Sequence, residues 1–459
     1  MGSRPLKTNL STLHIRESGI AAPDKHLPHP SSLQSAPYFA GHTPAQVSFM
    51  PELLAEYTNR TVFHYKGILS PPKSFADWTD FIEAFGTALI DRYGLDEVKA
   101  WYFEVWNEPN CCGGYPDTGC CGPSCGNTSM YGELFSNTWT GLKKADPGLR
   151  VGGPATAQLA WLDVFIEGAV AAGTPPDFVS SHLYPTDPWA HETALPKGVD
   201  DFYAAIAGAA AIVEASAKKH GLAEVPPFVL TEFNCGLGME CQDSYFSGSF
   251  IAHHALNSQG IVDRVPIQSY WTFSDIFEES GQKPQEFAQA FGTRTFNGVP
   301  KPVYRAMQLV KRMGSVAYPT TQQTPGTVNL AVTATNSSCR RLGAGCFEAL
   351  LVNHPTGPVD MRLNQTLPAV SVTVTFKGTA GGKTPASATV RRVDAAHANA
   401  VPAYIAAGAP EYPNASMIAA LMKASSIVAE PLTPVAGPDG TTWSVTMEMP
   451  AYSVATVSF

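Results

Sequence analysis

Along the chain, short apolar runs alternate with longer stretches whose apolar residues recur every three or four positions. Residues 101–106 form an aromatic and β-branched run that breaks at Asn107-Glu108-Pro109, where proline ends the ladder. Similar runs lie at 45–50, 149–154, 177–185, 227–234 and 266–273. Between them, Phe75, Trp78, Phe81, Ile82, Phe85, Leu89 and Ile90 form the stripe that a helix lays on a sheet. Further helices are predicted over 131–145, 161–172, 201–220, 245–258 and 303–313. This βα alternation predicts an α/β fold with a parallel sheet, a (β/α)₈ TIM barrel.

From about residue 320 the pattern changes. Val/Thr-rich strands follow at short intervals, over 329–334, 348–352, 370–376, 388–393 and 442–447, with one helix over 416–426. That predicts a C-terminal β-sandwich. The expected organisation is an irregular or disordered segment over 1–44, a catalytic barrel over 45–315 and a sandwich over 316–459.

Two of the apolar runs end on an acid. Glu108 closes the first, and Glu232 closes Phe228-Val229-Leu230-Thr231. At the C-terminal edge of a barrel such tips converge on one pocket, whereas a strand ending in a polar turn is the plainer alternative for either alone. The interval between them leaves room for about three βα units.

Charge and composition narrow the function. The 459 residues carry a net charge of −9 without a basic run, which argues against nucleic acid or an anionic membrane as partner. No stretch approaches the ~20 apolar residues that span a bilayer. Nine cysteines, five of them between Cys111 and Cys125, lack a regular Cys-x₂-Cys pair or a neighbouring histidine. A disulfide-stapled loop is therefore expected there rather than a metal site. Asn-x-Ser/Thr sequons at Asn9, Asn59, Asn127, Asn336, Asn364 and Asn414 add to the expectation of a secreted or lumenal glycoprotein, although residues 1–30 show no signal-peptide pattern.

Phe103-Glu104-Val105-Trp106-Asn107-Glu108-Pro109-Asn110 and Thr231-Glu232-Phe233-Asn234 resemble the acid/base and nucleophile motifs of glycoside hydrolase family 39, which holds β-xylosidases and α-L-iduronidases. The resemblance implies a retaining hydrolase without cofactor or metal, acting on a glycoside or small oligosaccharide. It implies Glu108, on the fourth barrel strand, as acid/base, Glu232, on the seventh, as nucleophile, and Asn107 as donor to the sugar 2-hydroxyl. His182 and Tyr184 match a His-x-Tyr pair of the xylosidase branch. Trp271 resembles the family's sugar-facing ring, and Glu278 and Glu279 resemble residues that grip hydroxyls; the alternative for these two is a solvated acidic pair. An exo-acting β-xylosidase is the leading expectation. An α-L-iduronidase-like enzyme and a non-hydrolytic sugar-binding or inactive truncated form are the alternatives.

In that family the strand equivalent to 45–50 is the third of eight. Two preceding units at ~30 residues each would need ~60 residues. Residues 1–44 show no strand periodicity, so the first two units are expected to be missing, leaving the edges of the 45–50 and 266–273 strands open.

Overall fold

In a computed structural model, the structure describes residues 13–15, 61–62, 67–68, 71–111, 126–187, 199–237, 240–276, 284–314, 317–322, 330–336, 347–355, 367–377 and 387–458. Six strands form one sheet: β1 (Leu13–Ile15), β2 (Tyr102–Glu104), β3 (Arg150–Thr156), β4 (Phe178–His182), β5 (Phe228–Phe233) and β6 (Gln268–Tyr270). All neighbours are parallel, in the order β1-β6-β5-β4-β3-β2. Burial on both faces explains why β5 opens as a continuous apolar run, whereas β4, equally buried, carries Ser180, Ser181 and His182 toward its C-terminal end.

Residues 1–44 are therefore not wholly irregular. Leu13 pairs with Gln268 and Ile15 with Tyr270, so the edge of β6 expected to be open is covered. Three residues are too few to show a period, and their order comes from the neighbouring edge rather than from local pattern. The strand expected over 45–50 lies outside the described residues.

Helices α1 (Phe75–Tyr93), α2 (Thr128–Ala145), α3 (Leu162–Ala171), α4 (Val199–Lys219), α5 (Tyr245–Asn257) and α6 (Pro302–Arg312) follow the predicted stripes. Ser74 caps α1 by accepting from the Asp77 amide at 3.2 Å. Asn127 caps α2 the same way from Met130, so that helix begins three residues earlier than its apolar period suggested. Gly141 lets α1 and α2 approach closely, since a Cβ there would stand 2.6 Å from the Thr79 carbonyl oxygen. Strand β3 runs past Pro154 to Thr156, with a register shift between Pro154 and Thr156, whereas the sequence suggested an exit at the proline. Proline is tolerated at such a bulge because the ladder is already interrupted.

The C-terminal residues build two antiparallel sheets. The larger takes the order β12-β11-β15-β9-β8-β7, from β7 (Ala317–Tyr318), β8 (Leu330–Asn336), β9 (Phe347–Asn353), β11 (Ala388–Val393), β12 (Ala429–Leu432) and β15 (Ser453–Ser458). The smaller joins β10 (Val370–Lys377), β14 (Thr442–Met449) and β13 (Val435–Ala436). Leu351, Val390, Ala455 and Val457 of the larger sheet share a core with Val372, Val445 and Met447 of the smaller. On the other face, Leu350, Val352, Val393 and Val454 join the cluster that includes Phe246 and Phe250 of α5 and Val303 of α6. The larger sheet is thus buried on both sides, one of them against the helices that follow β5 and β6. Two short helices, α7 (Val401–Ala406) and α8 (Ala415–Ala424), complete this region; α7, β7, β12, β13 and β15 were not anticipated.

Candidate active site

Four predicted residues meet at the C-terminal ends of β2, β4 and β5. His182 and Glu232 are register partners on adjacent strands, and a register shift follows Ser181 on one side and Leu230 on the other. Such irregularities re-aim side chains where ladders end. His182 Nδ1 stands 2.9 Å from Glu108 Oε1 and 3.5 Å from Glu232 Oε2. The Tyr184 hydroxyl donates to Glu232 Oε1. One oxygen from each glutamate and a ring nitrogen of His182 all lie within 4.8 Å of one another. His182 and Tyr184 are buried, while the Glu108 side chain keeps 24% and that of Glu232 11% of its exposure.

Glu108 reaches this point through strained backbone. Trp106 and Glu108 both adopt left-handed conformations, at φ 69° and 46°, a cost on the order of 1–3 kcal/mol each for residues with a Cβ. Neighbouring contacts hold the turn in place. The Glu108 amide donates to Ala155 O at 2.9 Å, and the buried Asn110 carboxamide both donates to Ala157 O at 3.0 Å and accepts from its amide at 2.9 Å. Asn107, on the same turn, is exposed.

Electrostatics follow from this crowding of acids. Burial alone would depress His182, yet the carboxylates of Glu232 and Glu108, with Glu104 nearby, outweigh it and lift the imidazole to about 9. Burial also pushes Asp187 up to about 7; Glu108 and Glu232 add repulsion, opposed by the Tyr184 amide that Asp187 accepts at 2.9 Å. Sequence reasoning missed Asp187. Its signal was the Tyr184-Pro185-Thr186-Asp187 turn, closed by the Asp187 amide on Tyr184 O at 3.1 Å, with proline at the second position. Thr186 Oγ1 in turn accepts from the Leu237 amide at 2.8 Å, joining this turn to the loop beyond Glu232.

Trp271 directly follows β6, and its amide donates to Phe233 O at 2.8 Å. Two further features brace the loops beyond β5 and β6. Cys235 and Cys241 form a disulfide six residues apart. The buried Lys301 ammonium lies 2.6 Å from Asp243 and 2.9 Å from Asp275 and donates to Ala290 O at 2.8 Å. Burial and Asp243 raise Asp275 to about 6 against the pull of Lys301. Glu278, Glu279 and Cys112 to Cys125 lie outside the described residues.

Residues 41–439 match the model of glycosyl hydrolases family 39. The chain belongs to that family. Among relatives of the family, a β-xylosidase of Caldicellulosiruptor saccharolyticus is 33% identical over 393 residues, covering 84% of this chain and 73% of that enzyme. A β-xylosidase of Geobacillus stearothermophilus is 32% identical over 280 residues, covering 59% and 52%. The crystal structure of a monomeric β-xylosidase from Caulobacter crescentus superposes with a TM-score of 0.68 at 27% identity, covering 88% of this chain and 78% of that one. The family 39 neighbours and the parallel sheet agree on a TIM-barrel-like fold.

Proposed function

We propose that this chain is a retaining, exo-acting β-xylosidase. The observation that carries the reading is the close approach of the two acids, whose oxygens come within 4.8 Å. Retaining enzymes hold their carboxyl groups about 5–5.5 Å apart, and inverting ones about 6.5–9.5 Å, to leave room for water. Family membership and the names of the most similar relatives support the xyloside as substrate.

In this reading, the Glu232 carboxylate attacks the anomeric carbon while Glu108 gives its proton to the departing oxygen. The C–O bond to the aglycone breaks and a glycosyl ester on Glu232 forms. Glu108 then takes a proton from water, the water oxygen bonds to the anomeric carbon, and Glu232 leaves as carboxylate. Tyr184 and His182 hold the nucleophile's two oxygens, so it meets the sugar in a fixed orientation. Trp271 offers a flat apolar face to the sugar ring, and Asn107, Glu278 and Glu279 bind hydroxyls. The parallel sheet is the wall of a (β/α)₈ barrel spanning 45–315, to which β1 adds a strand from the N-terminal segment, and the two C-terminal sheets are a β-sandwich spanning 316–459. The Cys235–Cys241 disulfide supports an oxidising, secreted or lumenal setting.

The test is covalent trapping. A 2-deoxy-2-fluoro-β-xyloside with a good leaving group should inactivate the protein, and peptide mapping should place one fluoroxylosyl group on Glu232. Turnover of nitrophenyl β-xyloside with inverted anomeric configuration, or activity only on an α-L-iduronide, would overturn the reading.

A further inference from the structure

Asn234 lies two residues beyond Glu232, and its side chain is fully buried. The carboxamide nitrogen donates to Trp271 O and, at 3.2 Å, to Phe291 O. Its oxygen accepts from the Tyr270 hydroxyl at 2.8 Å and from the Cys235 amide at 2.6 Å. A carboxamide has two N–H donors and two lone pairs, so all four are used. The orientation follows from the partners, because a backbone carbonyl can only accept and a backbone amide can only donate.

Three of the four partners, Tyr270, Trp271 and Phe291, belong to β6 and the loop beyond it. Phe291 O also accepts from the Thr272 amide at 3.1 Å, and the Phe291 ring meets the Tyr184 ring edge-on with centroids 6.3 Å apart. One side chain directly after the nucleophile strand therefore grips the tryptophan segment. The contacts to Glu232 described above come instead from the end of β4 and the turn after it, through His182 and Tyr184.

We propose that Asn234 is a positioning residue that sets the place of Trp271 against the strand bearing Glu232, and so governs how tightly the sugar is held rather than how fast it reacts. This rests on the reading of Glu232 as nucleophile and Trp271 as sugar-facing ring. A ring stacked on the sugar is in contact in both the ground and the transition state, and loss of such uniform binding raises KM with kcat unchanged.

Three full-length variants test it. Asn234→Asp turns an oxygen toward two carbonyl oxygens, Asn234→Ala removes the grip, and Tyr270→Phe removes one donor with little change of shape. In Asn234→Asp and Asn234→Ala, KM for nitrophenyl β-xyloside and the inhibition constant of xylose should rise together by about tenfold, with kcat within about threefold of wild type. In Tyr270→Phe both should rise by roughly twofold to threefold. Should both Asn234 variants fail to fold, Tyr270→Phe alone decides, and an unchanged xylose inhibition constant there overturns the proposal. A fall in kcat at unchanged KM would also overturn it, since the residue would then act on the nucleophile. Wild-type protein that neither turns over the xyloside nor binds xylose would instead remove the hydrolase reading on which the proposal stands.

Discussion

His182 and Glu232 face each other as register partners across β4 and β5, with Nδ1 3.5 Å from Oε2. The same nitrogen is 2.9 Å from Glu108, so one imidazole is shared by both proposed catalytic acids. Held at about 9 by the acids around it, it is a cation over the neutral range and places a positive charge between them.

Replacing it should therefore cost both activity and stability. A His182→Gln variant is expected to lose about 10²-fold or more in kcat, read with nitrophenyl β-xyloside. The stability lost should depend on pH. A group raised from 6.5 to about 9 on folding contributes fully below pH ~6.5, and that contribution disappears as pH rises through about 9. Thermal unfolding at pH 6, 7.5 and 9 should show the gap between wild type and variant narrowing. A gap that is constant across this range would contradict the assignment.

Asp187 also makes wild type lose ground to its variant as pH rises, but through a lower window. Its carboxyl is raised from 3.8 to about 7, so folding favours the protonated form. The resulting stability is complete below pH ~3.8 and is lost as pH rises through about 7. Asp187→Asn keeps an oxygen to accept the Tyr184 amide and removes the charge. Its melting temperature relative to wild type should climb by a few degrees between pH 4 and pH 8. A flat difference would mean that Asp187 is ionised throughout.

Lys301 offers a test away from the reacting atoms. Lys301→Met leaves Asp243 and Asp275 buried without their cation, and breaking a buried pair from one side costs about 3–5 kcal/mol. Denaturant unfolding should show that loss, and combining Lys301→Met with Asp243→Asn and Asp275→Asn should restore much of it. Equal destabilisation in the triple variant would mean that shape, not charge, dominates the cluster.

Much of the candidate site could be read from the chain because its side chains stand where apolar runs stop. Glu108, His182, Tyr184 and Glu232 each sit at such an ending, and the structure brings all four together. Strand β1 could not be read, since three residues carry no period and its hydrogen bonds belong to β6. Asp187 and Asn234 escaped for another reason. Both act through backbone groups of neighbouring segments, and which carbonyl or amide a side chain meets is decided by tertiary approach rather than by local pattern. The left-handed turn at Trp106 and Glu108 was equally hidden, because neither residue type favours that conformation and only the surrounding contacts hold it there.

The arrangement of the larger C-terminal sheet bears on how the protein is made. β15 lies between β9 and β11, so strands separated by tens of residues in the chain meet through one that is synthesised after both. Until residues 453–458 have left the ribosome, β9 and β11 each present a bare edge, and α5 and α6 lack part of the surface that covers them. Ordering of this half must therefore wait on late translation, and a message cut short before these codons would yield a chain with exposed ladders, a natural target for chaperones and proteolysis.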